Sequence, residues 1–309
     1  MPNSLQPIHV HVHDHGGEGS PLLLLHGAGR SLADWDAVAP LLTQRHRVLA
    51  VDLPGHGRSE DGPRPWSFEA AAQTIESVLD FYEIPDAVLV GHSLGGMLAL
   101  YHAAHRSGGA TGRTTPGAVN LDGFWWGRPD QYPGLDGATV AEGLARVGEM
   151  MRAAAGQIAP AEYVAQQAAY AEQFGIPYAR AEAAARGAVR ELPDGRVQTL
   201  PVRERALEMY DAMDALDLFA LLRRVPCPAL CVRARRPQPP MPGMEWFHEL
   251  TDSYTKGLDR DLAALVEERR RDGAAPLAVE DIDATHAMLL EEPEAVAALL
   301  LAFTGGLRG

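Results

Sequence analysis

Apolar residues in the first 125 positions follow two alternating spacings. Short, almost continuous apolar runs at Leu22–Leu25, Arg47–Leu53, Ala87–Val90 and Ala118–Leu121 read as buried strands. The segments between them have helical spacing. Leu32–Gln44 puts Trp35, Val38, Leu41 and Leu42 on one side, Ser67 is placed to cap a helix reaching about Tyr82, and Leu94–Arg106 reads as a third helix. Strands separated by helices predict an α/β fold with a mostly parallel, doubly wound sheet covered on both faces.

The pattern changes between 138 and 188. Alanine dominates there and no clear strand is visible, so the spacing predicts helices broken at Pro160 and Pro177. The α/β rhythm resumes at Asp217, where DLFALLRRV leads into a strand at Ala229–Val232. A Pro-rich loop, RPQPPMPGM, follows, then a polar helix near Asp259–Arg271, a strand at Leu277–Ile282 and a last helix near Pro293–Phe303. The expected organisation is a core domain made of 1–126 and 214–309, interrupted by a helical lid over 127–213.

Composition narrows the function. With 27 basic and 41 acidic side chains the formal net charge is −14, the wrong sign for a phosphate-backbone binder, so no nucleic-acid partner is expected. Cys227 and Cys231 lie about 13 Å apart if both sit on one strand, too far for a disulfide. Two unpaired cysteines and a start lacking the order of a signal peptide predict a cytoplasmic protein, and the early apolar runs are too short for a membrane span.

The strongest chemical signal is Gly91-His92-Ser93-Leu94-Gly95-Gly96, a G-x-S-x-G sequence between an apolar strand and a helix. Its glycines permit a sharp turn that lifts the serine hydroxyl to the sheet edge, beside the free N–H groups of a helix start. With HGAG at 26–29, DLPGHGRSE at 52–60 and DATHAMLLEEPE at 283–294, in that order, the chain resembles the serine-nucleophile branch of the α/β-hydrolase fold superfamily over nearly its whole length.

The resemblance implies that Ser93 is the nucleophile and His286 its base, with an oxyanion hole at the backbone N–H groups of Ala28 and Leu94. The family usually carries its acid after the strand read here as Ala229–Val232, but Arg233-Ala234-Arg235-Arg236-Pro237 offers no carboxylate there. Some members carry it after the preceding core strand, which here ends in Val119-Asn120-Leu121-Asp122-Gly123. Asp122 is therefore the expected acid, with Asp252 and Asp259 as lesser substitutes. Asp52 and Ser59 read as turn residues.

Gly27, His92, Trp125, Trp126 and Arg235 are the expected substrate contacts. Phe124, Trp125 and Trp126 stand at the entry to the lid, and Arg235 with Arg236 could hold an anionic substrate group. Met150, Met151, Tyr163, Tyr170 and Phe174 are further lining candidates, although helical spacing makes most of them core. His9, His11, His13 and His15 share one face of a strand. A metal site there is conceivable, but no carboxylate or cysteine cluster accompanies them in sequence, and an exposed edge strand is the expected reading. No metal or organic cofactor is expected.

The function these features imply is cleavage of an ester, thioester, lactone or related acyl bond of a small-molecule substrate. C–C bond hydrolysis, lyase or cyclase chemistry of secondary metabolism with the same triad is the alternative, followed by a non-catalytic binding protein. Substrate identity and oligomeric state are not legible.

Overall fold

A computed structural model describes residues 9–106, 114–237 and 243–307. The first part of the chain gives β1 (Val12–Gly16), β2 (Leu22–Leu25), a 3-10 turn at Leu32–Trp35, α1 (Ala39–Leu42), β3 (Val48–Val51), α2 (Phe68–Phe81), β4 (Val88–His92), α3 (Leu94–Arg106) and β5 (Ala118–Leu121). The middle holds α4 (Gly137–Ala154), β6 (Ile158–Ala159), α5 (Tyr163–Glu172), α6 (Tyr178–Gly187), β7 (Val189–Glu191), β8 (Val197–Thr199) and α7 (Arg203–Ala215). The last part gives α8 (Leu218–Arg224), β9 (Ala229–Ala234), α9 (Glu245–Arg271), β10 (Leu277–Ile282), α10 (Met288–Glu291) and α11 (Pro293–Gly306).

Seven strands form the main sheet in the order β1-β3-β2-β4-β5-β9-β10. All neighbours are parallel except β1, which runs antiparallel along β3 as an edge strand. The pleat sorts the apolar runs onto two faces. Leu23, Leu25, Leu49, Val51 and Leu89 pack under α2, α3, α8 and α9. Leu22, Leu24, Val48, Ala50, Val88 and Val90 pack under the 3-10 turn, α1, α10 and α11. Leu22 to Leu25 are fully buried, which is why this strand is apolar throughout. Each such side chain contributes about 1.5–3 kcal/mol relative to exposure.

Local signals explain most boundaries. Ser67 caps α2 by accepting from the Ala70 N–H at 3.1 Å, and Asp217 caps α8 through the Ala220 N–H at 2.9 Å. The predicted helix at Leu32–Gln44 is instead the 3-10 turn, capped by Ser31 and followed by α1 with Pro40 in its first turn, where the missing N–H costs nothing. The middle is not strandless: β6 pairs with β8, and β8 with β7, in a small antiparallel sheet. Pro160 does end β6, and Pro177 does precede α6.

The helix expected near Asp259 begins at Glu245, because Leu250, with Trp246, Phe247 and Tyr254, packs against Tyr132, Val140 and Val147. Residues 238–242 of the Pro-rich segment lie outside the described residues. Cys227 and Cys231 are both buried and free, and burial pushes their thiols up to about 11 and about 12, which makes them inert. No helix among the described residues is long and apolar enough to cross a membrane.

Candidate active site

Ser93 joins β4 to α3 at φ +53. This left-handed conformation costs a non-glycine residue about 1–3 kcal/mol, so the surroundings must impose it. They do so through backbone contact. A Cβ on Gly91 would stand 1.9 Å from the Gly95 carbonyl oxygen, and one on Gly95 would stand 2.3 Å from that of Leu25. Only glycine lets α3 start this close to β4 and β2. The Ser93 N–H donates to Leu121 O at 2.9 Å, tying the elbow to β5.

Asp122 ends β5 in a second left-handed turn, at φ +52. Buried Asn120 clamps that turn: its Oδ1 accepts from Gly123 N–H at 2.7 Å and its Nδ2 donates to Gly123 O at 3.1 Å. Asp122 Oδ1 accepts from the Ala234 N–H at 3.1 Å, and Oδ2 lies 2.8 Å from His286 Nδ1. Burial alone would raise its pKa. The hydrogen bond and charge of His286, with Ala234 N–H and Arg233, hold the carboxyl below its ordinary value. A carboxylate on Nδ1 keeps the proton there and leaves Nε2 as the basic nitrogen.

The His286 segment is fixed by Glu291, which the sequence did not single out, and by Arg236 and His92, which it had placed as substrate contacts. Glu291 accepts from Thr285 N–H at 2.8 Å and Thr285 Oγ1 at 2.5 Å. Arg236 donates to Asp283 O at 2.5 Å and pairs with Glu291 and Glu292. His92 Nε2 lies 2.8 Å from the His286 carbonyl oxygen and donates to it. Burial, then the charge of His286, pushes His92 down to about 3, so it stays neutral. His92 thus borders the cavity with its one N–H engaged by the protein.

The turn at 26–29 is held by two further histidines. His26 Nε2 accepts from Leu53 N–H at 2.9 Å, so its proton is on Nδ1, 2.8 Å from Gly27 O. His56 Nε2 accepts from Gly29 N–H at 3.2 Å, with Nδ1 facing Pro54 O at 3.1 Å. Burial lowers both, His56 to about 3. Asp52 is a turn residue as expected: it accepts from the N–H groups of Leu32 and Arg58 and from His11. Among the described residues, neither the Ala28 nor the Leu94 N–H donates to a protein group.

Ser93, His286 and Ala28 border two cavities, one on each side of the serine. The first, about 350 Å³, is bordered by Gly27, His92, the Arg30–Asp34 pair and Tyr170 and Phe174 of the middle segment. A Cβ on Gly27 would come within 3.1 Å of Ser93 Cβ, so glycine keeps this side open. The second, about 530 Å³, is bordered by Phe124, Trp125, Trp126, Met151, Tyr254 and Arg235. The Ser93 hydroxyl and His286 are not hydrogen-bonded to each other here.

Several expected contacts are placed differently. Arg235 borders the second cavity, but its guanidinium already pairs with Asp259 and Asp281 at 2.9 and 2.7 Å. Arg236 is equally engaged, so neither presents an uncompensated charge. Met150, Tyr170 and Phe174 are exposed rather than core. Tyr163 lies in a separate pocket beside Arg30.

A serine raised on a strained elbow at the C-terminal edge of a parallel sheet, sharing a cavity with a carboxylate-bound imidazole, is the arrangement of an α/β hydrolase. Comparison with known proteins agrees: the profile of the Alpha/beta hydrolase family matches residues 22–299, and the chain belongs to that family. It is 32% identical to the pimeloyl-[acyl-carrier protein] methyl ester esterase of Methylococcus capsulatus over 71% of this chain and 77% of that protein. It is 34% identical to the 2-hydroxymuconate semialdehyde hydrolase of Pseudomonas sp. (strain CF600) over 40% and 47%. Among solved structures, E-2-(acetamidomethylene)succinate hydrolase superposes with a TM-score of 0.69 at 22% identity, covering 97% of this chain and 96% of that one. Against the first curated relatives that it matches, the chain spans only 23% to 26% of their length.

Proposed function

We propose that the protein is a serine hydrolase acting on an ester, thioester or related acyl bond through Ser93, His286 and Asp122. The observation that carries this reading is the 2.8 Å contact between Asp122 and His286 Nδ1. It fixes the tautomer in which Nε2 can take the Ser93 proton. Ser93 Oγ attacks the acyl carbon, and the developing oxyanion is received by the Ala28 and Leu94 N–H groups. His286 returns the proton to the leaving group. Water, deprotonated by His286, then attacks the acyl-enzyme and releases the acid.

The two cavities suit a small to medium substrate with a group on each side of the scissile bond. The middle segment, 127–213 with α7 continuing to Ala215, acts as a lid, since α4, α5 and α6 supply walls to these cavities. A second reading, hydrolysis of a C–C bond beside a carbonyl, draws on the likeness to the semialdehyde hydrolase.

A fluorophosphonate probe and a p-nitrophenyl acyl ester test the proposal. The expected result is labelling at Ser93 and ester turnover, both lost in Ser93→Ala. Unchanged turnover in that variant refutes it. Product analysis on a vinylogous diketone distinguishes C–C cleavage from esterolysis.

A further inference from the structure

The alternating histidines at 9–15, which run into β1, are placed differently in the fold. His11 is taken by Asp52, 2.7 Å away. His13 and His15 stack with ring centroids 3.9 Å apart, and the chain leaving the 3-10 turn brings Asp36 against them. One donor atom from each of His13, His15 and Asp36 lies within 4.8 Å of the other two. The carboxylate missing from the sequence pattern is therefore supplied from more than twenty residues downstream.

Among the described residues, no protein group satisfies this cluster. Among the described residues, no hydrogen bond or ion pair joins His13 or His15 to Asp36. His15 Nε2 is buried without a hydrogen-bond partner, which costs a polar atom about 1–3 kcal/mol. The neighbouring acids are engaged elsewhere: Asp14 with Arg47 and the Gly16 N–H, Asp34 with Arg30, and Asp52 with His11.

We propose that His13, His15 and Asp36 bind a divalent transition-metal ion of borderline softness, with Zn²⁺ the best match. Two imidazoles and a carboxylate are a three-ligand zinc set, the remaining position taken by water. Tetrahedral bonds of about 2.0–2.1 Å place donors about 3.3 Å apart. Small rotations of exposed His13 and Asp36 close the present spacing, and their exposure supplies the entry path. Such an ion would fasten edge strand β1 to the turn that precedes α1. This site is independent of the Ser93 reading, because none of its ligands borders either cavity.

The test is equilibrium dialysis of the full chain against Zn²⁺, with bound metal counted by mass spectrometry, alongside thermal melting with and without Zn²⁺. One Zn²⁺ per chain and a raised Tm are expected. His15→Ala and Asp36→Asn each weaken binding at least tenfold, the loss typical of even an outer-sphere partner, and both abolish the Tm rise. Asp36→Asn is nearly isosteric and guards against misfolding of His15→Ala. His9→Ala retains binding. Absence of stoichiometric Zn²⁺, unchanged affinity in Asp36→Asn, or loss of binding in His9→Ala alone overturns the proposal.

Discussion

Asp122→Asn isolates the electrostatic part of the proposed chemistry. Asp122 Oδ1 accepts from the Ala234 N–H, so an asparagine would keep its carbonyl oxygen there and turn its amide NH₂ toward His286 Nδ1. A donor at that nitrogen forces the proton onto Nε2, the atom that must accept from Ser93. The carboxylate's attraction for the imidazolium is lost as well. With charge centres about 4 Å apart and an effective dielectric of ~20, suited to an imidazole that is half exposed, that attraction is about 4 kcal/mol. This corresponds to roughly three decades in rate. The expected result is a fall in kcat of about 10³–10⁴ on a p-nitrophenyl ester, with KM nearly unchanged, because the side chain is not part of the acyl contact. Circular dichroism should report an intact fold. A variant within tenfold of the wild-type kcat refutes Asp122 as the acid, and turnover lost in Asp259→Asn but kept in Asp122→Asn would move the role to Asp259.

Other outcomes follow from the same geometry. His56 and His92 fall from about 6.5 unfolded to about 3 folded, so between those values the unfolded chain binds more protons. Their contribution to stability is complete above pH 6.5 and is lost as pH falls, by up to about 1.4 kcal/mol per group per pH unit. Urea denaturation at pH 7 and 5.5 measures the slope, which His56→Gln should flatten; an unaltered slope contradicts a buried neutral ring. Glu291→Ala frees the Thr285–His286 segment and lowers kcat up to about 10²-fold by misplacing the base, with Asp122 intact; equal kcat in steady-state assays excludes that positioning role. Gly95→Ala puts a methyl 2.3 Å from Leu25 O and should destabilise by about 1–3 kcal/mol or more; an unchanged melting curve would show that the elbow can relax.

The main sheet was legible because its strands are buried on both faces and therefore read as unbroken apolar runs. The turn position of Ser93 was legible because its elbow needs glycines at fixed offsets, whereas Asp122 was singled out only through the family resemblance, which allows an acid after the strand ending in NLDG when 233–237 offers no carboxylate. The supporting groups were not. Asn120, His26, His56 and Glu291 act on main-chain groups brought beside them by the fold, and local spacing does not encode such contacts. The early start of α9 was hidden for a similar reason. EWFHELTDSY looks polar until Tyr132 and Val140 are seen to cover one side of it. Arg235 shows the reverse failure, since a basic cluster in sequence suggested an anion site while Asp259 and Asp281 already neutralise it.

The two cavities that meet at Ser93 are built from different stretches of chain. The walls of one come chiefly from α5, α6 and the His286 loop, and those of the other from the Trp125–Trp126 turn, β9 and α9. The reactive groups sit on the strand ends between them. Recognition of the two halves of a substrate can therefore be altered separately: substitutions at Tyr170 or Phe174 reshape one half-site, and those at Trp126 or Met151 the other. In the proposed reaction, libraries confined to one wall are expected to retune acyl or leaving-group preference while Ser93 and His286 stay in place.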